Sequence, residues 1–130
     1  MTVEDRGAVL TGRRILMVED DYLVAQALCA VLEDAGATVV GPIGWLDEAL
    51  DFVTTQGDRF DAAVLDVNLH GEKSYPIADR LRALNIHFVF TTGYGADALD
   101  ATYQQYPRCE KPFSEQVLLH ALNENQRDPY

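Results

Sequence analysis

The sequence predicts an α/β fold: a doubly wound, five-stranded parallel sheet with helices on both faces. Three observations carry this expectation. Short, wholly apolar runs recur along the chain. Stretches with helical apolar spacing alternate with them. Gly or Pro marks several of the junctions.

Ile15-Leu16-Met17-Val18 is the first such run, as a strand buried on both faces requires. Asp20 and Asp21 follow as N-cap candidates. Leu23, Val24, Ala27, Leu28, Val31, Leu32 and Ala35 then form a broad helical stripe, stopped by Gly36. Thr38-Val39-Val40 is the second strand, ended by Gly41-Pro42. Leu46, Ala49, Leu50 and Val53 mark the second helix, closed near Gly57. Ala62-Ala63-Val64-Leu65 is the third strand, and Asn68 to Ser74 reads as a polar loop. Ile77, Leu81 and Leu84 give the third helix, with Pro76 tolerated in its first turn. Phe88-Val89-Phe90 is the fourth strand. A short helix covers Ala96 to Tyr103, and Arg108-Cys109-Glu110 is the fifth strand. Val117, Leu118, Ala121 and Leu122 face inward from the last helix. One domain over 13–124 results, between tails at 1–12 and 125–130. Its crossovers are expected to be right-handed.

Composition narrows the partners. The 130 residues carry 21 acidic and 10 basic side chains, a net charge of -11. That balance speaks against nucleic acid and anionic membranes, both of which draw on clustered Lys and Arg. It suits a protein that gathers carboxylates around a divalent cation. No apolar run reaches the length of a membrane span, and no secretory signal opens the chain, so a cytoplasmic location is expected. Cys29 and Cys109 lie in apolar segments without metal-ligand spacing and read as small buried hydrophobes.

Strand interiors are apolar, but the residues just past their carboxyl ends are not. Strand one ends in Glu19-Asp20-Asp21, strand three in Asp66, strand four in Thr91-Thr92-Gly93 and strand five in Glu110-Lys111-Pro112. Open α/β sheets bind ligands at that edge, where the strand order reverses. In the order 2-1-3-4-5 the reversal lies between strands one and three, so Glu19, Asp20 and Asp66 converge. Converging carboxylates repel, and a hard divalent cation relieves them; oxygen ligands favour Mg²⁺, with Mn²⁺ also fitting. Lys111 adds an ammonium and a threonine adds a hydroxyl. A carboxylate nucleophile with a metal, an ammonium and a hydroxyl suits phosphoryl transfer.

With these residues in place, the sequence resembles the receiver domains of two-component response regulators, over roughly Arg14 to Leu122. The matching motifs are Ile15 to Asp21, Val64-Leu65-Asp66-Val67-Asn68, Thr92-Gly93 and Lys111-Pro112-Phe113. The resemblance implies a flavodoxin-like sheet with Asp66 as phosphoacceptor. It implies that Glu19, Asp20, Asp66 and the backbone carbonyl of Asn68 hold the metal. Thr92 and Lys111 would contact the phosphoryl group, and the bond from Lys111 to Pro112 is often cis in the family. A sensor histidine kinase or phosphotransfer protein would be the donor, and a downstream protein partner would read the result. Phe88 to Tyr94 resembles the Phe-Ala-Thr-Gly-Tyr signature of alphaproteobacterial receivers, which are often single-domain regulators.

The chain also departs from the family. Arg108 stands where most receivers carry an aromatic switch residue, and His70 stands where the loop often has Pro. Tyr94 and Arg108 are therefore the candidates for the output link. Thr91 and Thr92 both remain candidates for the switch hydroxyl. Phosphorylation-dependent dimerisation and a phosphate-sink role stay open. So does a pseudo-receiver that binds partners without holding phosphate. A phosphatase using the same aspartyl chemistry would need Asp two residues past the nucleophile, and Asn68 cannot do that acid–base work. A flavin site would need a Gly/Ser/Thr-rich loop after strand one, which is absent.

Overall fold

The computed structural model of the chain describes residues 9–93, 99–110 and 114–124. In chain order these form β1 (Arg14–Val18), α1 (Tyr22–Asp34), β2 (Thr38–Ile43), α2 (Leu46–Gln56), β3 (Ala62–Asp66), β4 (Asn68–Leu69), β5 (Glu72–Lys73), α3 (Tyr75–Ala83), β6 (His87–Thr92), β7 (Arg108–Glu110) and α4 (Glu115–Glu124). Short 3₁₀ turns cover Gly57–Arg59 and Ala101–Tyr103. Five strands build one parallel sheet in the order β2-β1-β3-β6-β7. That is the expected 2-1-3-4-5, with β4 and β5 forming a separate antiparallel pair.

Strand side chains alternate between two cores, as a period of two dictates. Leu16, Val18, Ala63, Leu65, Phe88 and Phe90 pack with Ala49 and Val53 of α2 and with Ile77, Ala78 and Leu81 of α3. Ile15, Met17, Ala62, Val64 and Val89 pack with Leu28, Cys29 and Leu32 of α1 and with Leu118 and Leu122 of α4. Leu10, in the segment expected to be a tail, is fully buried in this second core, and its amide donates to the Ala35 carbonyl. Cys29 and Cys109 are both buried and free, in keeping with their reading as apolar side chains.

Several elements differ in detail from the sequence expectation. The second strand does not stop at Gly41-Pro42. It continues to Ile43 through a register shift against β1. Gly41 makes this feasible: its φ is +103, and a Cβ there would lie 2.8 Å from the Met17 carbonyl oxygen. The peptide bond from Gly41 to Pro42 is cis. The stretch read as a polar loop holds a hairpin, with Asn68 opposite Lys73 and Leu69 opposite Glu72. His70 and Gly71, both at positive φ, make its two-residue turn. Helix α1 turns Ala25, Leu28, Cys29 and Leu32 inward, leaving Ala27 exposed and Leu23 78% exposed. Val117 of α4 is likewise exposed, because Leu118 and Leu122 form the inward stripe. Gly36, at φ +99, ends α1 as expected. Of the short helix expected over Ala96 to Tyr103, the described part is a 3₁₀ turn at Ala101–Tyr103.

An aromatic cluster joins α3 to that turn. The rings of Tyr75 and Tyr103 stack at 4.0 Å, with Phe90 edge-on to both. The Tyr75 hydroxyl accepts from the Asp100 amide, and the Tyr103 hydroxyl donates to the Asp79 carboxylate at 3.0 Å. Burial, then the hydrogen bond and charge of Asp79, pushes the Tyr103 pKa up to about 12. The folded state thus prefers the un-ionised phenol. The resulting stability is full below the ordinary value of 10.0 and is lost as pH rises through about 12. Tyr103→Phe is expected to flatten this alkaline loss and to delete the latest step of a tyrosinate absorbance titration. An unchanged titration curve would exclude Tyr103 as its source.

Candidate functional site

The site sits at the carboxyl edge of β1 and β3, where the order of the sheet reverses. Glu19 directly follows β1 and is 4% exposed, while Asp66 is the last residue of β3 and 6% exposed. Asp20, half-buried, completes the group: one carboxylate oxygen from each of Glu19, Asp20 and Asp66 lies within 4.8 Å of the others. The apolar runs before them fix both strands in the sheet, so these acids are carried to one place by parallel pairing of Val18 with Leu65.

Local hydrogen bonds orient each acid. The Glu19 carboxylate accepts from the Asp21 amide at 3.2 Å. Asp66 accepts from the Asn68 amide at 3.3 Å, two residues further along the chain. Asp20 accepts from the His70 amide at 2.8 Å. Desolvation pushes the Asp20 pKa up, but hydrogen bonding with the His70 amide and the Glu19 side chain outweighs it and holds the carboxyl below its ordinary value. Asp21 is a helix cap: it accepts from the Val24 amide at the start of α1.

These oxygens suit a hard cation. Three carboxylates share one spot, and such a set is costly unless a positive charge balances it. Among the described residues, Glu19, Asp20 and Asp66 are the acidic cluster with this spacing. The remaining site candidates are placed as follows. Thr91 pairs in register with Asp66, and its buried hydroxyl has no hydrogen-bond partner among the described residues. Thr92 is buried at the end of β6, opposite Glu110. Arg108 is exposed on β7, opposite Phe90. Tyr94, Lys111 and the bond from Lys111 to Pro112 lie outside the described residues.

Sequence reasoning treated His70 only as a loop residue and passed over Trp45. The structure brings them together: the two rings stack with centroids 3.6 Å apart and planes 15° apart. Trp45 follows the carboxyl end of β2, the edge that also supplies Glu19 and Asp66. That position was the available signal. It was missed because β2 was read as ending at Gly41.

Comparison with known proteins agrees with this geometry. A solution structure of SdrG from Sphingomonas melonis Fr1 is 43% identical, over 88% of this chain and 94% of that one, with a TM-score of 0.76. A solution structure of the BeF3-activated conformation of SdrG from Pseudomonas melonis Fr1 is 42% identical, over 84% and 92%, with a TM-score of 0.69. An uncharacterized transcriptional regulatory protein, YbdJ, of Bacillus subtilis (strain 168) is 29% identical over 77 residues. The matched segment spans 59% of this chain but only 32% of that relative's length. The sheet order and these likenesses make the fold flavodoxin-like. The family model for the response regulator receiver domain matches residues 15–123, from β1 almost to the end of α4. The chain belongs to the receiver domains of two-component response regulators.

Proposed function

We propose that this chain is a phosphorylation switch whose acceptor is Asp66. The gathering of the Glu19, Asp20 and Asp66 carboxylates within 4.8 Å carries this reading. Glu19, Asp20 and Asp66, with the Asn68 carbonyl, would hold Mg²⁺ or Mn²⁺. Such an ion, when bound, neutralises charge on the transferring oxygens. Asp66 attacks the phosphorus of a phosphohistidine, and the donor's P–N bond breaks as the new O–P bond forms. Lys111 then pairs with a phosphoryl oxygen, and Thr92 donates a hydrogen bond to another. Thr92 is preferred over Thr91, because Gly93 then takes the small-residue position that leaves the phosphoryl pocket open, and the Thr91 hydroxyl is sealed from solvent.

The donor in this reading is a sensor histidine kinase or phosphotransfer protein. The chain acts alone in the cytoplasm, as an alphaproteobacterial single-domain regulator or phosphate shuttle. Its output passes through Tyr94 and Arg108 to a downstream protein partner. It is a signalling domain rather than an enzyme with a separate substrate. Arg108, exposed where an aromatic switch residue is usual, favours one second reading: a pseudo-receiver that binds partners without phosphate.

The test is intact-protein mass after incubation with a small phosphodonor, with and without Mg²⁺. One Mg²⁺-dependent phosphoryl adduct on wild type and none on Asp66→Asn is expected. A folded wild type that never gains the adduct would leave the pseudo-receiver.

A further inference from the structure

Trp45 needs an explanation that core packing does not give. It is 53% exposed, and at the N-cap of α2 its side chain makes no capping hydrogen bond. What it does contact is the imidazole of His70, at 3.6 Å between centroids.

His70 is itself unusual. It holds φ +51 in the turn of the β4–β5 hairpin, a region that residues with a Cβ rarely occupy. Its amide makes a 2.8 Å hydrogen bond to Asp20, fifty residues away in sequence. Gly44 completes the arrangement. A Cβ there would lie 3.3 Å from the Asp20 Cα, 3.4 Å from the Glu19 carbonyl oxygen and 3.8 Å from the His70 Nε2. The bare glycine lets the connection before α2 close against both the acids and the imidazole.

We infer that Trp45 and His70 are positioning residues for the cation site, their stacked rings holding the hairpin turn so that the His70 amide fixes Asp20 for the ion. This rests on reading the three carboxylates as a cation site. Neither ring touches the ion in this scheme. The aromatic stack opposes the turn's tendency to relax out of the left-handed region, and the amide stays aimed at Asp20.

The test uses the full chain, with Mg²⁺ affinity from calorimetric titration and the exchange rate of the amide proton at position 70 measured without metal. Trp45→Ala removes the stack, and His70→Asn removes the ring while keeping a residue that tolerates positive φ. Each single change is expected to weaken Mg²⁺ binding roughly fivefold. The double change should be no worse than either single one, because both act through one contact. Trp45→Phe should bring affinity back to within about twofold of wild type, since it restores a ring to stack on. Trp45→Ala should also speed exchange of the His70 amide. If wild type binds Mg²⁺ and both single variants bind it equally well, the positioning role is wrong while the cation site stands. If wild type binds no Mg²⁺, both fall.

Discussion

Replacing Asp66 with asparagine is expected to make the metal-free protein harder to unfold, by about 1 kcal/mol, while abolishing its capacity to accept phosphate. The acid is 6% exposed and shares a spot with Glu19 and Asp20. Asparagine keeps an oxygen for the Asn68 amide, now 3.3 Å from the carboxylate. The two side chains have nearly the same shape, so charge is the main difference between them. Saturating Mg²⁺ should reverse the order, because an ion that binds only the folded state stabilises it according to its affinity, and the variant has lost a ligand. Denaturant unfolding of both proteins, with and without Mg²⁺, checks both halves. A variant less stable than wild type in the absence of metal would show that the three acids do not strain the fold. That strain is the usual cost of a site built for function rather than stability.

The largest structural effect is expected at Phe90, where truncation to alanine should cost about 3–5 kcal/mol. Phe90 is fully buried in a central strand of the sheet. Its ring meets those of Phe88 at 5.4 Å, Tyr75 at 6.1 Å, Tyr103 at 6.4 Å and Tyr106 at 6.5 Å. Removing it leaves a cavity that four rings, three of them tied to the chain by distant elements, cannot readily collapse to fill. Phe90→Leu should cost less than half as much, since most of the volume remains. Urea midpoints at constant slope give the comparison. A loss near 1 kcal/mol for alanine would mean that the cluster repacks freely. Tyr75 begins α3 directly after the hairpin. Phe90→Ala is therefore also expected to loosen the hydrogen bond from the Asp100 amide to the Tyr75 hydroxyl.

Much of this was legible in the sequence, for identifiable reasons. Strands buried on both faces must be apolar throughout, so Ile15 to Val18, Ala62 to Leu65 and Phe88 to Phe90 announced themselves. Acids placed just beyond such strands stand out, and the sheet does bring Glu19, Asp20 and Asp66 together. The hairpin at Asn68 to Lys73 was not legible, because two-residue strands are too short to show a period. The inward face of α1 was misjudged because Leu23 is apolar yet exposed, and burial depends on which stripe meets the sheet. The strand at Thr38 to Ile43 was cut short because Gly-Pro usually ends a strand. Here the glycine instead supplies the close approach to Met17 that lets pairing resume at Ile43. The partnerships of Tyr75 with Tyr103 and of Trp45 with His70 span 28 and 25 residues, and no local pattern records them. Lys111 and Tyr94 lie outside the described residues, so their sequence-based roles stand as proposals.

The stack beneath Trp45 has an optical consequence. The chain contains one tryptophan, and that indole lies face to face with the imidazole whose backbone grips Asp20. Light absorbed selectively by tryptophan is thus deposited at one address, the rim of the carboxylate cluster. The chain's six tyrosines do not absorb at the long-wavelength edge of the indole band, so excitation there reaches the tryptophan alone. The protein carries a native chromophore at the point where its chemistry is proposed to occur, and no label has to be grafted on to observe it.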